Sequence, residues 1–169
     1  PDRWSMMGAM PIRIDTHHHA LPEFYRSWLA GLGADLPPAW TPESSRAQLR
    51  LSGVSTAILS VPAPQVQLGS RVEARVMARE LNQYLHELVV AEPGTFGYFA
   101  TLPLPDLEGA LDELAHAFDR LTPDGVCLLS NTAGTYLGDP VLEPLMAELD
   151  RRGAVVFVHG EVLVLLTVQ

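Results

Sequence analysis

Short apolar runs alternate along the chain with longer segments in which apolar residues recur every three or four positions. A short apolar run bounded by glycine, proline or polar residues is typical of a buried strand, whereas the longer spacing is typical of an amphipathic helix. The sequence therefore predicts five strands. They lie at residues 12–17, 56–61, 96–100, 126–129 and 154–159.

Helical segments are predicted between these strands, at residues 22–31 and 42–52 and after residues 70, 106 and 139. Ser70 and Glu73 have the spacing of a capping box, and Asp106 opens the next helix. Asp139 and Gly153 are residue types that favour the two ends of the last helix. The apolar face predicted for the helix after Ser70 consists of Val72, Val76, Leu81, Leu85, Leu88 and Val89.

The alternation of strands and helices predicts an α/β protein, because each helix returns the chain across the sheet and leaves neighbouring strands parallel. Successive strands begin roughly 30 to 40 residues apart, and no low-complexity linker divides the chain. This spacing fits either an open doubly wound sheet or an incomplete (β/α)8 barrel of about five βα units.

The charge balance excludes several classes of function. Eleven basic residues stand against 20 acidic ones, which gives a formal net charge of −9. No basic cluster is present, so we expect no nucleic-acid partner and no binding to acidic membranes. All the basic residues are arginines, which excludes mechanisms that need a Schiff-base, P-loop or carbamylated lysine.

Cysteine content and the ends of the chain bear on location. The single cysteine, Cys127, cannot form an internal disulfide and lies in a predicted strand, so we expect a buried thiol, no nucleophile and a cytoplasmic protein. Residues 1–9 lack the apolar core of a signal peptide and are predicted to be a disordered extension. No segment reaches the length of a membrane span.

Three consecutive histidines follow the first apolar run. Side chains alternate along a strand, so His17 and His19 are predicted to share one face and His18 to lie on the other. Two imidazoles on one face can bind zinc or another divalent metal ion. The alternatives are an exposed polar strand end or the remnant of a purification tag. Asp15 has the same parity as His17, and either orients an imidazole or caps backbone amides.

The last predicted strand ends in His159. A histidine at a strand end is often structural. In a closed barrel of parallel strands, however, all carboxyl ends meet on one rim, and His159 would then face His17 and His19. The three imidazoles together form the candidate metal site.

Other polar residues have weaker assignments. His86 and His116 lie in helical segments and are interpreted as solvated. The segment 130–135 follows the fourth strand, where it either reaches a substrate or forms a plain polar loop. Arg46 and Arg50 either bind a substrate carboxylate or serve as surface charge.

Five segments give the chain a family resemblance. IDTHHHALPEFY, GYFATLPLPD, GVCLLSN, YLGDP and ELDRRGAVVFVH, in this order, resemble the amidohydrolase-related (amidohydrolase 2) family, which includes aminocarboxymuconate-semialdehyde decarboxylase and similar metal-dependent carboxy-lyases. The resemblance covers residues 10–159. It implies a (β/α)8 TIM barrel with one zinc or similar divalent ion, ligated here by His17, His19 and His159.

The resemblance also implies a function. Members of the family decarboxylate, or in other branches hydrolyse, small substrates, which here implies an aromatic or muconate-type carboxylic acid. A histidine from a later strand and an aspartate from strand eight complete the family's site, and neither has a counterpart in this sequence. The catalytic residues are therefore unassigned. The absence of lysine agrees with the branch that binds a single metal ion.

The segment 160–169 departs from the family pattern and is predicted to be an atypical tail. Three further βα units would need on the order of 100 residues, so we expect a truncated product with weak metal binding and little activity. Open sheet edges would favour association, including a homodimer, or aggregation. A non-catalytic fragment is the alternative.

Overall fold

The computed structural model describes residues 12–34 and 38–160. The predicted extension at 1–9 and positions 161–169 of the predicted tail lie outside these residues. Seven strands are present in the described part: β1 (Ile14–His19), β2 (Thr56–Ser60), β3 (Phe96–Thr101), β4 (Gly125–Leu129), β5 (Asn131–Thr132), β6 (Thr135–Tyr136) and β7 (Val156–His159). The α-helices of the described part are α1 (Glu23–Gly31), α2 (Pro42–Ser52), α3 (Arg71–Ala91), α4 (Leu107–His116) and α5 (Glu143–Arg152).

The main sheet contains five strands in the order β1-β2-β3-β4-β7, and all neighbouring pairs are parallel. These are the five predicted strands, and the predicted α/β class is confirmed. β1 begins and ends two residues later than predicted, because His18 and His19 pair with Leu59 and Ser60 of β2.

The sheet is strongly curled. β1 and β7 are its outer strands, and four interstrand spacings in a flat sheet would separate them by about 19 Å. Instead, the ring of His17 on β1 lies 5.2 Å from that of Phe157 on β7. Phe157 also stacks on Phe99 of β3, with ring centroids 5.4 Å apart. The curl distinguishes the two predicted architectures and confirms the incomplete barrel.

The hydrophobic core lies between the outer face of the sheet and the helices. Alternate residues of β2, β3 and β4 face it, among them Leu59, Tyr98 and Leu128. Val156 and Val158 occupy outer positions on β7 and are partly exposed. The core is therefore dense behind β2 to β4 and thin behind β7.

Helix α3 is buried along a face that differs from the prediction. Val72 and Val76 are 71% and 52% exposed, while Ala74 and Ala78 are buried with Leu81 and Leu85. The small alanines let α3 approach β3 closely, so shape rather than hydrophobicity selects this face. The prediction for Val72 and Val76 was wrong.

A buried polar network links α3, β3 and α4. The Nδ2 amide of Asn82 donates to the carbonyl of Thr101 at 2.9 Å and to Oε1 of Glu113 at 2.8 Å. Oδ1 of Asn82 accepts from the backbone N–H of Thr101 at 2.8 Å. Arg79 donates to the other oxygen of Glu113 at 2.6 Å. All polar groups of the Asn82 side chain are thus paired with neighbouring elements.

Helix ends follow the predicted signals with one refinement. The capping box of Ser70 and Glu73 is present, and Gly153 ends α5 in the left-handed conformation. Asp139 caps a short 3-10 turn, Pro140–Leu142, that precedes α5. The predicted polar loop after β4 is partly ordered as the hairpin β5–β6.

Within the described residues, no helix combines the length and apolar character needed to cross a bilayer.

Asp106 caps α4 and also binds two arginines of α3. Its Oδ1 accepts from the N–H of Gly109 at 3.2 Å and from Arg71 at 2.6 Å, and Arg75 donates to both carboxylate oxygens. The hydrogen bonds from Arg75 and Arg71 hold the pKa of Asp106 well below its ordinary value of 3.8. Because the folded pKa is lowered, this stabilisation is present above about pH 4 and is lost as the pH falls.

Replacing Asp106 with asparagine should keep the cap acceptor and remove the charge. We expect Asp106→Asn to lower the free energy of unfolding by about 1 kcal/mol at neutral pH, since the paired arginines are partly exposed. The difference from the wild type should shrink as the pH falls below about 4. Urea unfolding of both proteins at about pH 7 and pH 3 measures it, and an equal difference at both pH values would contradict the charge assignment.

Candidate metal centre

Three imidazoles converge at the carboxyl rim of the curled sheet. Nε2 of His19 lies 3.0 Å from Nε2 of His17 and 3.2 Å from Nε2 of His159. One nitrogen from each ring falls within a group whose members are all within 4.8 Å of one another. The structure thus brings together the three residues that the sequence predicts as metal ligands, from chain positions 140 residues apart.

The parallel sheet explains the convergence. His19 ends β1 and His159 ends β7, so both lie on the rim where α/β active sites form. His17 lies two residues before His19 and therefore shares its side. The register between β1 and β2 shifts between Asp15 and His18. This bulge adds one residue to β1 and reverses the alternation before it.

The bulge corrects one prediction. Asp15 was expected on the face of His17, but its Oδ2 lies 2.9 Å from Nδ1 of His18, and its Oδ1 accepts from the backbone N–H of His17 at 3.0 Å. Asp15 therefore both orients an imidazole and caps an amide. The imidazole it orients is His18, behind the sheet, rather than a member of the cluster.

The three imidazoles fit a divalent metal ion. Two nitrogens bound to one tetrahedral zinc are separated by about 3.3 Å when each zinc–nitrogen bond is about 2.05 Å, and the observed spacings of 3.0 and 3.2 Å are close to this value. Burial and the neighbouring rings of His17 and His159 lower the pKa of His19 to about 4. His19 is thus neutral at pH 7, and one of its ring nitrogens has a lone pair available to a metal ion.

An aromatic surface borders the cluster. Phe157 lies two residues before His159 on β7, in edge contact with His17 and stacked on Phe99. His17 is exposed, whereas His19 and His159 are partly buried. The cluster is therefore open on one side and apolar on the other, an arrangement that suits a planar, apolar substrate.

His18 faces the helices and is 6% exposed. Its Nε2 lies 2.8 Å from Oγ of Ser45, which also accepts from Nε1 of Trp40 at 2.8 Å. Sequence reasoning missed Ser45 and Trp40, because no spacing or motif relates either of them to His18, which lies 27 residues before Ser45. A polar residue on the buried face of α2 is the one signal in the sequence that points to Ser45.

The weaker candidates lie elsewhere. Arg46 pairs with Glu43 and Glu92, and Arg50 is exposed on α2. The predicted burial of the Cys127 thiol is confirmed, and this burial raises its pKa to about 12. His86 and His116 are partly buried on α3 and α4 and are less solvated than predicted.

Comparisons with known proteins agree with this architecture. The family model described as Amidohydrolase matches residues 14–167. The chain is 41% identical over 157 residues to decarboxylase macB of Penicillium terrestre, covering 87% of this chain and 46% of that protein. It is 39% identical over 157 residues to 6-methylsalicylic acid decarboxylase acuB of Aspergillus aculeatus, covering 88% of this chain and 47% of that protein.

A solved structure shows the same fold. The crystal structure of an amidohydrolase II superposes with a TM-score of 0.85 at 32% identity, over 92% of this chain and 53% of that one. The chain thus spans about half the length of the relatives it matches. The resemblance found in the sequence is confirmed, since the family model covers most of the chain. The chain belongs to the amidohydrolase family.

Proposed function

We propose that this chain carries the metal-binding half of a metal-dependent carboxy-lyase, with His17, His19 and His159 as ligands to zinc or another divalent ion. The observation that carries the proposal is the convergence of three Nε2 atoms at the sheet rim, at spacings that suit a tetrahedral ion. Imidazole nitrogen binds zinc well and also accepts manganese or iron.

The proposed substrate is a small aromatic or muconate-type carboxylic acid. Relatives that align with most of this chain carry the name decarboxylase, and one of them is named for 6-methylsalicylic acid. Phe157 and Phe99 supply a flat apolar surface next to the imidazoles, against which an aromatic ring can lie with its carboxylate towards the cluster.

The residues of this chain would hold the metal ion and orient the substrate. When bound, a divalent ion supplies a Lewis acid that draws electron density from a substrate oxygen. The three imidazoles fix its position, and Phe157 excludes water from one side. Within the described residues, the candidate ligand group contains imidazoles alone. The proposal therefore assigns no acid or base for protonating the substrate carbon, and we expect slow turnover from this chain.

Release of carbon dioxide from the 169-residue chain tests the proposal. The chain, loaded with zinc or manganese, is incubated with hydroxylated benzoates, and carbon dioxide is measured in parallel with the hydrolysis of a lactone. We expect slow carbon dioxide release that a chelator stops and added metal restores. Faster lactone hydrolysis would favour a hydrolase, and metal-loaded protein that releases no carbon dioxide would contradict the assignment.

Two further predictions accompany the proposal. Cys127 is a free, buried thiol, which suits a cytoplasmic location.

The outer strands β1 and β7 each have one edge without a partner strand among the described residues, and Ile14 on β1 is largely exposed. We propose that two chains associate through these edges to form a homodimer. Measuring the mass of the protein in solution tests this prediction.

A further inference from the structure

The geometry points to His18 as a positioning residue that fixes the β1 bulge and thereby aims His17 and His19 at a common ion. This inference rests on the proposed metal site and deepens it. His18 lies between the two candidate ligands in sequence but on the opposite side of the sheet. It cannot bind the same ion, and its burial behind the sheet calls for another role.

The hydrogen bonds of His18 form a chain with a single consistent direction. Oδ1 of Asp15 accepts from the backbone N–H of His17, and Oδ2 lies 2.9 Å from Nδ1 of His18. A carboxylate only accepts, so Nδ1–H of His18 donates to Asp15. Nε2 of His18 lies 2.8 Å from the hydroxyl of Ser45, whose oxygen accepts from Nε1–H of Trp40, an obligatory donor.

This series of hydrogen bonds acts on the metal ligands through the backbone. The two oxygens of Asp15 bind the His18 ring and the His17 amide, and so span the extra residue of the bulge. An extra residue in a strand loses its regular pairing to the neighbouring strand. Asp15 supplies the missing partner, and His18 holds Asp15 in place against α2. Without this clamp, a one-residue shift of register in β1 would turn His17 and His19 together away from His159 on β7.

The same contacts could suggest a nucleophilic Asp-His-Ser triad, but the surroundings exclude one. Ser45 is 1% exposed and lies on α2, on the helix side of the sheet. Its oxygen already accepts from Trp40. No substrate carbonyl can approach this hydroxyl, so the three residues orient rather than attack.

Metal affinity in variants of His18 tests the inference. Binding of zinc is measured by calorimetry for the full chain and for His18→Ala, His18→Asn and His18→Gln, with thermal unfolding of each metal-free protein. Outer partners that orient metal ligands typically contribute 10- to 100-fold to affinity, and we expect His18→Ala to lose affinity in this range. His86→Ala, a partly buried histidine on α3, is the control and should bind like the wild type.

The two amide variants separate positioning from simple packing. The side-chain amide of asparagine can donate to Asp15 in place of Nδ1, whereas glutamine reaches towards Ser45. We therefore expect His18→Asn to keep more of the affinity than His18→Gln. The absorption spectrum of the bound cobalt(II) ion reports coordination geometry and should change in His18→Gln but little in His18→Asn.

The outcomes distinguish the inference from the proposed function. A wild-type chain that binds no zinc would contradict the metal site itself. A wild type that binds zinc, with His18 variants of equal affinity and identical cobalt spectra, would overturn the positioning role alone. Equal losses in the asparagine and glutamine variants would also overturn it, because packing would then explain the effect. This comparison stays decisive if His18→Ala is too unstable to purify.

Discussion

Replacing His19 with alanine should weaken zinc binding by about 100-fold or more, the largest functional effect expected in this chain. His19 is the central member of the cluster, because its Nε2 lies within 3.2 Å of both other nitrogens. Its removal leaves His17 and His159, too few protein ligands for a typical zinc site. Calorimetric titration of the metal-free chain with zinc gives the affinity directly.

A matched control distinguishes loss of a ligand from loss of a histidine. His116→Ala removes a partly buried imidazole from α4, outside the cluster, and should leave zinc affinity unchanged. The metal-free His19→Ala protein should unfold within about 1 kcal/mol of the wild type, since the ring is partly exposed. Retention of full affinity by His19→Ala would remove the basis for the metal centre.

The strands and the cluster could be predicted because both depend on local pattern. Each strand is a short apolar run, and parallel strands place their last residues on one rim whatever the details of packing. Sequence alone therefore related His19 to His159. The curl that brings them within hydrogen-bonding distance follows from packing over the whole sheet, and the sequence left an open sheet as an alternative.

The errors arose where a distant element changes a local rule. Strict alternation placed Asp15 beside His17, but the bulge opposite β2, with Ser45 behind it, reverses that side chain. Helical periodicity selected Val72 and Val76 for burial, whereas the close approach to β3 favours Ala74 and Ala78. Neither the bulge nor the approach distance is encoded in the spacing of apolar residues.

Asn82 is the position where one substitution should most reduce stability. It is fully buried in α3, and its amide satisfies both backbone groups of Thr101 and one oxygen of Glu113. Asn82→Ala leaves these buried groups without partners, and each such group destabilises by about 1 to 3 kcal/mol. We expect a loss of about 3 kcal/mol or more, and a melting temperature lower by roughly 10 °C.

Three variants show whether the lost partners cause this effect. Gln83→Ala, on the adjacent exposed position of α3, removes a hydrogen bond to Glu87 and should change stability by less than about 0.5 kcal/mol. Asn82→Asp keeps the shape but places a second acceptor against Glu113, so it should be as harmful as alanine. Adding Glu113→Gln restores a donor between the two side chains, and the double variant should recover part of the loss. Additive effects in this cycle would show that Asn82 stabilises the fold by packing rather than by pairing α3, β3 and α4, the elements that support the central strands of the barrel.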